Sequence, residues 1–447
     1  MGELPLAAAG RHPGEAQHVL RRVLRLPLRA LPSLESTTAR EAVSSRTGNQ
    51  DKEVTTLATS STTNQSTVIE TTKQRDEPAA AGKPPSGERF LSLDTFRGFI
   101  MFWIIGGDAL AAALALWLHN PVTNLLTYET QHTPWIGLRF YDCIWPSFML
   151  MAGVSIPFAY AKRSLTGSDH DFKMHALRRA IVLFLLGSLR ESFLLGSPYL
   201  IELSSALQPI AIAYFAAAML MRKPPRVLAT IAAAIWAGYA LLLAFVPAPG
   251  IPAGTYVLNH NLVNWVDVYF LGPHWRVWPF VFQGWGTILS TIPTISNTLI
   301  GVAFGQVLRS DRSKGKKAQI IGATGIVLLI LGFGLSPVIP IEMKMWTTSF
   351  GLASAGVACL MFFCFFWFVD MQGFRKWTLL FVVIGMNPIF IYIAVYILPI
   401  PQLVGIFTKG TAAHLGAAGP AYSALGILVV EWLVLYWMYK RKVFLRA

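Results

Sequence analysis

Charge is scarce in this chain, and acid is scarcer than base. Of 447 residues, 13% are Asp, Glu, Lys or Arg, with 23 acidic against 37 basic. Soluble domains usually carry about 25% charged residues, so an ordinary water-exposed globule is excluded. Cysteine is nearly absent. Cys143, Cys359 and Cys364 lie in or beside apolar runs, which excludes a disulfide framework and gives no metal-binding pattern. The histidines lack the spacing of zinc ligands, and no Gly-rich phosphate loop is present. Strict apolar–polar alternation is also missing, which argues against a transmembrane barrel.

What is present is apolar length. Runs of about 20 apolar residues recur from residue 98 onward, each long enough to cross a bilayer of about 30 Å. The expected fold is all-α: a polytopic integral membrane protein with about ten transmembrane helices, near 97–118, 141–160, 177–195, 203–221, 227–247, 287–308, 319–339, 347–369, 377–398 and 421–440. Gln208-Pro209 breaks the fourth, and Gly301 with Gly305 forms a GxxxG pair in the sixth. Residues 1–86 read as a disordered extension before a membrane domain over 87–447. Their Ser/Thr/Gln-rich tract has too few large apolar residues for a core. The Arg-rich segment 18–33 suits a targeting or membrane-surface role, and a start codon assigned too far upstream accounts for it equally.

The basic surplus tests the helix count. One set of loops carries Lys162, Arg163, Lys173, Arg178 and Arg179, then Arg222, Lys223 and Arg226, then Arg309, Arg312, Lys314, Lys316 and Lys317. Arg375, Lys376 and the tail cations Lys440, Arg441, Lys442 and Arg446 continue that set. The alternate loops hold only Arg139, Arg190, Arg276, Lys344 and Lys409. Positive-inside sorting therefore predicts both termini in the cytoplasm, and it explains the net charge of +14 better than nucleic-acid binding does. The same topology puts His119, His132, His260, His274 and His414 on the far side. The long outer loop, about 248–286, is aromatic enough to lie at the membrane surface or to cap a cavity.

Residues 89–158 concentrate the chemistry. One apolar helix leads to a short loop with His132, Pro134 and Trp135, and a second opens with Asp142 and Pro146. Histidine is the side chain best suited to move protons near neutral pH, and ionisable groups at a membrane point by default to function. Asp142 is a candidate to orient His132, or else a helix cap. Asp108 lies within the first helix and must face a cavity or a partner. Asp94 and Arg97 form an ion pair or an anion contact at the inner surface. Gln208 and Asn387, the latter between Met386 and Pro388 at a helix break, are candidates to line a midplane site, and Asp267 and His274 to line an outer one.

These blocks resemble the heparan-α-glucosaminide N-acetyltransferase family and its bacterial relatives. The likeness rests on Leu93-Asp94-Thr95-Phe96-Arg97-Gly98, then His132-x-x-Trp135-x-Gly137, then Asp142-x-x-x-Pro146-x-Phe148 with Gly153-x-Ser155-Ile156. It continues with Leu207-Gln208 and Tyr214; Asn261-Leu262-Val263 with Asp267, Gly272 and His274; and Ser290-Thr291-Ile292-Pro293 with Gly301. Pro340 with Lys344, Trp346 and Ser349, and Gly385-Met386-Asn387-Pro388 with Tyr392, close the series, which covers about 89–440. The resemblance implies transfer of an acetyl group from cytoplasmic acetyl-CoA to an amino sugar or glycan on the far side, with His132 as the active-site histidine. His132 would serve as base or as transiently acetylated nucleophile. Asp94 and Arg97 would lie near the donor phosphates, and Asp108, Asp267, His274, Gln208 and Asn387 near the acceptor.

The pattern departs from the family at Asp108, where Asn is usual, at Pro209, where Arg is usual, and at 282–286, where an acidic block is usual. The expected setting is a bacterial inner (plasma) membrane. No metal or nucleic acid is implied, and a homodimer is compatible with this picture. A transporter or permease for a small polar or anionic solute is the alternative, since broken helices with midplane polar residues suit either.

Overall fold

The structure is a computed structural model of the chain. It describes residues 90–445 apart from 166, 196–199, 202, 204–205 and 272–285. The extension over 1–86 and His274 lie outside the described residues.

The elements run in order as α1 (Leu91–Phe102), a π-helical turn (Trp103–Gly107), α2 (Asp108–Leu118) and α3 (Pro121–Glu129). A 3-10 turn (Tyr141–Cys143) leads into α4 (Ile144–Arg163), followed by α5 (Asp169–Leu195), α6 (Leu207–Leu220) and α7 (Pro225–Phe245). A two-stranded antiparallel hairpin, β1 (Tyr256–Val257) with β2 (His260–Asn261), precedes α8 (Leu262–Leu271). Then come α9 (Ile288–Arg309), α10 (Lys314–Leu335), α11 (Thr348–Phe365) with a π-helical end to Met371, α12 (Thr378–Met386), α13 (Pro388–Ile397), α14 (Ile400–His414) and α15 (Gly419–Lys440).

Among the described residues, seven helical segments are long and apolar enough to cross a membrane, and eight if the α12–α13 pair, bent by 75°, is one span. This is the build of a multi-pass membrane protein. All ten sequence-expected spans fall on helices, but two lack the length or apolarity of a simple crossing. The segment expected at 177–195 is part of the 27-residue α5, which carries Arg178, Arg179, Arg190 and Glu191. The one expected at 203–221 shortens to the 14 residues of α6, because Gln208 and Pro209 stand in its first turn rather than at a mid-helix break. Pro is tolerated there because the first amides of a helix have no partner inside it.

Of the seven apolar spans among the described residues, the most enclosed is α9, which packs against α4, α6 and α7. Gly301, half of the sequence-level GxxxG pair, faces α4 so closely that a Cβ on it would sit 2.1 Å from Leu150 O. The other half, Gly305, meets Val154 O on the same helix. Small residues at such crossings let backbones approach where no hydrophobic gain drives helices together. The core joins Phe96 and Ile100 of α1 with Met151 and Val154 of α4, Leu299 and Val302 of α9, and Phe362 of α11.

The first span does not run straight. Asp370 Oδ1 and Oδ2 accept from the amides of Leu91 and Ser92, both at 3.2 Å, and so cap the start of α1. Gly106 then takes φ = 142°, a region open to glycine and closed to most side chains. The break lies against Leu428 of α15, and it re-aims α2 so that Asp108 begins a new helical direction.

Candidate functional site

Two chemically different clusters lie at the two ends of α4. At its N-terminal end, the 3-10 turn sets Asp142 fully inside the protein while the His132 side chain stays 38% exposed. His132 Nδ1 lies 2.8 Å from Asp142 Oδ1. Thr133 donates its hydroxyl to Oδ2 at 2.6 Å, and the Arg139 amide donates to the same oxygen at 3.0 Å. The Thr133 amide lies 3.3 Å from both oxygens. Asp142 therefore organises the His132 loop rather than capping the first amides of α4. A carboxylate on Nδ1 keeps that nitrogen as the donor, which leaves Nε2 as the atom to accept a proton or attack a carbonyl.

The surroundings fix this pair from several sides. The Tyr141 ring meets the His132 ring edge-on at 4.8 Å, and its hydroxyl reaches Asp108 Oδ2 at 3.4 Å. Arg139 donates to His132 O at 3.1 Å, with its guanidinium 3.9 Å from the Tyr128 ring centre. Segment 340–347 braces the loop from behind. Gly137 N donates to Ile341 O at 2.9 Å, and Lys344 Nζ donates to Pro134 O at 3.0 Å. Trp135 Nε1 donates to Tyr256 O of the β1–β2 hairpin at 2.8 Å.

Within the brace, Glu342 accepts from the amides of Lys344 and Met345. Burial pushes the Glu342 carboxyl up to about 8, against the pull of those amides and of the Lys344 charge. Burial also lowers Lys344, while Glu342 and Asp142 act in the other direction.

A cavity of about 910 Å³ runs beside α4. Its lining on α4 begins at Ile144 and Trp145 and ends at Lys162 and Arg163, which spans about 28 Å at 1.5 Å per residue. The middle is apolar, with Met101, Phe148, Met151, Leu183 and Ile210 among its walls. Arg97, Lys162, Arg163, His175 and Arg179 supply nitrogen-bearing side chains to the same cavity. Arg163 and His175 meet at 3.0 Å, and Arg97 stands 3.5 Å from Asp94. The basic end is thus opposite the His132–Asp142 end, and Asp142 lies two residues before the first α4 residue of the lining.

The expected site residues divide into three groups. His132, Asp142 and, through Tyr141, Asp108 come together at one end. Asp94 and Arg97 line the cavity. The others are held elsewhere. Gln208 is buried and donates to Ser188 Oγ and Leu200 O, both at 2.9 Å. The Asp267 carboxylate accepts from Thr287 N, Thr287 Oγ1 and Ile288 N at 2.8–3.0 Å, and so caps α9. Burial raises Asp267 to about 6. Asn387 sits at the α12–α13 bend, with Nδ2 donating to Val443 O and Oδ1 accepting from Leu445 N, each at 3.0 Å.

Sequence reasoning missed Thr133 and Tyr141, whose spacing from His132 and Asp142 was the available signal. It assigned the acyl donor to Arg and Lys of the inner loops as a group, without singling out Lys162, Arg163 and Arg179, which line the cavity. No protein-family model matches the chain, and no curated protein matches it.

Proposed function

We propose that this protein is a membrane acyltransferase related to the heparan-α-glucosaminide N-acetyltransferases. In this reading it takes an acetyl group from cytoplasmic acetyl-CoA and delivers it to an amino sugar or glycan on the opposite face of a plasma membrane. The observation that carries the proposal is the polarity of the cavity along α4. Cations gather at one end, an apolar channel follows, and the His132–Asp142 pair stands just past the other end. Coenzyme A matches that order, with phosphates at one end and a thin thioester arm at the other. Arg97, Lys162, Arg163 and Arg179 suit the phosphates by charge-assisted hydrogen bonds. The α5 and α6 segments then count as crossings, which gives ten with both termini cytoplasmic.

The chemistry needs a base and a fixed geometry. His132 Nε2 takes the proton of the acceptor amine as its nitrogen bonds to the thioester carbonyl carbon. The C–S bond then breaks, and the thiolate leaves with a proton. In the two-step variant, Nε2 itself bonds to the carbonyl carbon as the C–S bond breaks and coenzyme A leaves as the thiolate; the amine then bonds to that carbon, and the displaced imidazole takes the amine's proton. Asp142 stabilises the imidazolium in either route.

The test is transfer of labelled acetyl-CoA added to one side of sealed vesicles, with acceptor on the other, for wild type and His132→Ala. Transfer by wild type that is lost in the variant is the expected result. Equal transfer by both sinks the role of His132, and no transfer by wild type sinks the activity. Ser164→Cys and Asn124→Cys, labelled from opposite sides in a Cys364→Ser background, test the orientation.

One observation favours a solute permease instead. The bent α12–α13 pair contributes Gly385, Met386, Pro388 and Ile389 to the same cavity, as discontinuous helices do in transporters. Solute uptake without acetyl-CoA is the result that selects this alternative.

A further inference from the structure

Residues 441–445 fold back onto the cavity. After α15 the chain turns at Lys442, which adopts φ = 57°, and the Val443 amide donates to Met438 O at 2.9 Å. The reversal brings the tail to the α12–α13 bend. There the buried Asn387 side chain bonds Val443 O and Leu445 N, so one amide group holds both edges of a three-residue strap. Phe444, between the two bonds, is half-buried and lines the cavity together with Leu445.

This strap lies at the basic end. Gly385, two residues before Asn387, packs so closely on α1 that a Cβ would fall 2.0 Å from Asp94 O. Asp94 pairs with Arg97, and Phe90 at the start of α1 meets Phe158 in the last turns of α4 at 6.2 Å. The tail, the bend, Arg97 and the Lys162–Arg163 end of α4 therefore share one mouth. An aromatic ring beside several cations is the composition that receives a nucleotide: the ring takes a base face and the cations take phosphate.

We propose that the 443–445 strap recognises the adenine-nucleotide head of the acyl donor, with Phe444 as the base-contacting side chain and Asn387 as the residue that positions it. This deepens the acyl-donor reading of the cavity and rests on it. Asn387 then acts at the donor end and not on the acceptor, although its sequence position suggested a midplane acceptor site.

The experiment compares two donors on the full-length protein in lipid nanodiscs: acetyl-CoA, and S-acetyl-4′-phosphopantetheine, which lacks the nucleotide. Phe444→Ala and Asn387→Ala are expected to raise KM for acetyl-CoA about tenfold, the scale of one lost base–aromatic contact. They are expected to leave kcat and the KM for the truncated donor in place. Phe444→Trp keeps a stacking face and restores the acetyl-CoA KM. Equal rises for both donors, no rise for either, or a fall in KM on weakening the strap overturns the proposal.

Binding of coenzyme A without turnover separates the two readings. Tail-dependent binding with no transfer by wild type retains the strap and rejects the reaction. Absence of both binding and transfer rejects both.

Discussion

The two ends of α4 are built on opposite plans. At the Tyr141 end, few groups are held by many bonds: one carboxylate gathers an imidazole, a hydroxyl and two backbone amides, and a second segment braces the loop. At the Arg163 end, four cationic side chains, Arg97, Lys162, Arg163 and Arg179, line the cavity, with Arg163 meeting His175. The first plan holds one imidazole in a defined orientation, which positioned chemistry needs. The second sets up a field that attracts anions and tolerates variation in their placement. Under the proposed acyl transfer, the difference divides the site into a part that would set rate and a part that would set occupancy.

Substitutions at the two ends should therefore separate kinetically. The largest effect is expected for His132→Ala, which should lower kcat by ~10²–10⁴-fold with little change in donor KM, measured as initial rates in vesicles. Asp142→Asn should follow at about 10²-fold in kcat, because the amide no longer fixes the Nδ1–H tautomer. A KM effect in either variant, without a kcat effect, breaks the division.

At the other end, Arg163→Ala should raise donor KM about tenfold and leave kcat nearly unchanged, on the scale of one charge-assisted contact. Loss of kcat alone in that variant breaks the division from the other side.

Two smaller effects concern the supports. Glu342 holds its proton more tightly when folded than when unfolded, since burial raises it to about 8. Its contribution to stability is therefore complete below the unfolded value of about 4.5 and is lost as pH rises through about 8. Thermal unfolding in detergent should show a melting temperature that declines across this range. Glu342→Gln should flatten the decline, and an unchanged slope shows that Glu342 is not its source. Asp267→Asn should cost about 1 kcal/mol through the weakened α9 cap, measured by the same scan, with kcat unaffected.

Local periodicity made the helices legible, and side-chain identity made candidate site residues legible. The ten expected spans all coincide with helices because apolar length is a property of a single segment. Charged α5 and short α6 show the limit: both are helical, but α5 lacks the apolar composition and α6 the length of a simple crossing. The break at Asn387 was readable from the Asn-Pro pair, whereas its partners Val443 and Leu445 were not, since they lie 56 and 58 residues away. Chemistry offered Asp142 either as a partner of His132 or as a helix cap, and the fold sets it 2.8 Å from His132 Nδ1. Tyr141, Thr133 and the brace from Glu342 to Lys344 became visible only once the chain was folded. The same holds for Asp267, whose sequence reads as a binding residue and whose oxygens close a helix end.

The bend at Gly106 has a consequence for how the protein is made. The segment from Leu91 to Leu118 enters the membrane early in synthesis, and its bend packs on Leu428, in a helix made more than 300 residues later. Until that helix arrives, nothing from α15 supports the turn that sets Asp108 towards Tyr141. The bend behind Asp108 is therefore completed late in biogenesis, and a ribosome stalled before residue 419 leaves it without α15 against it.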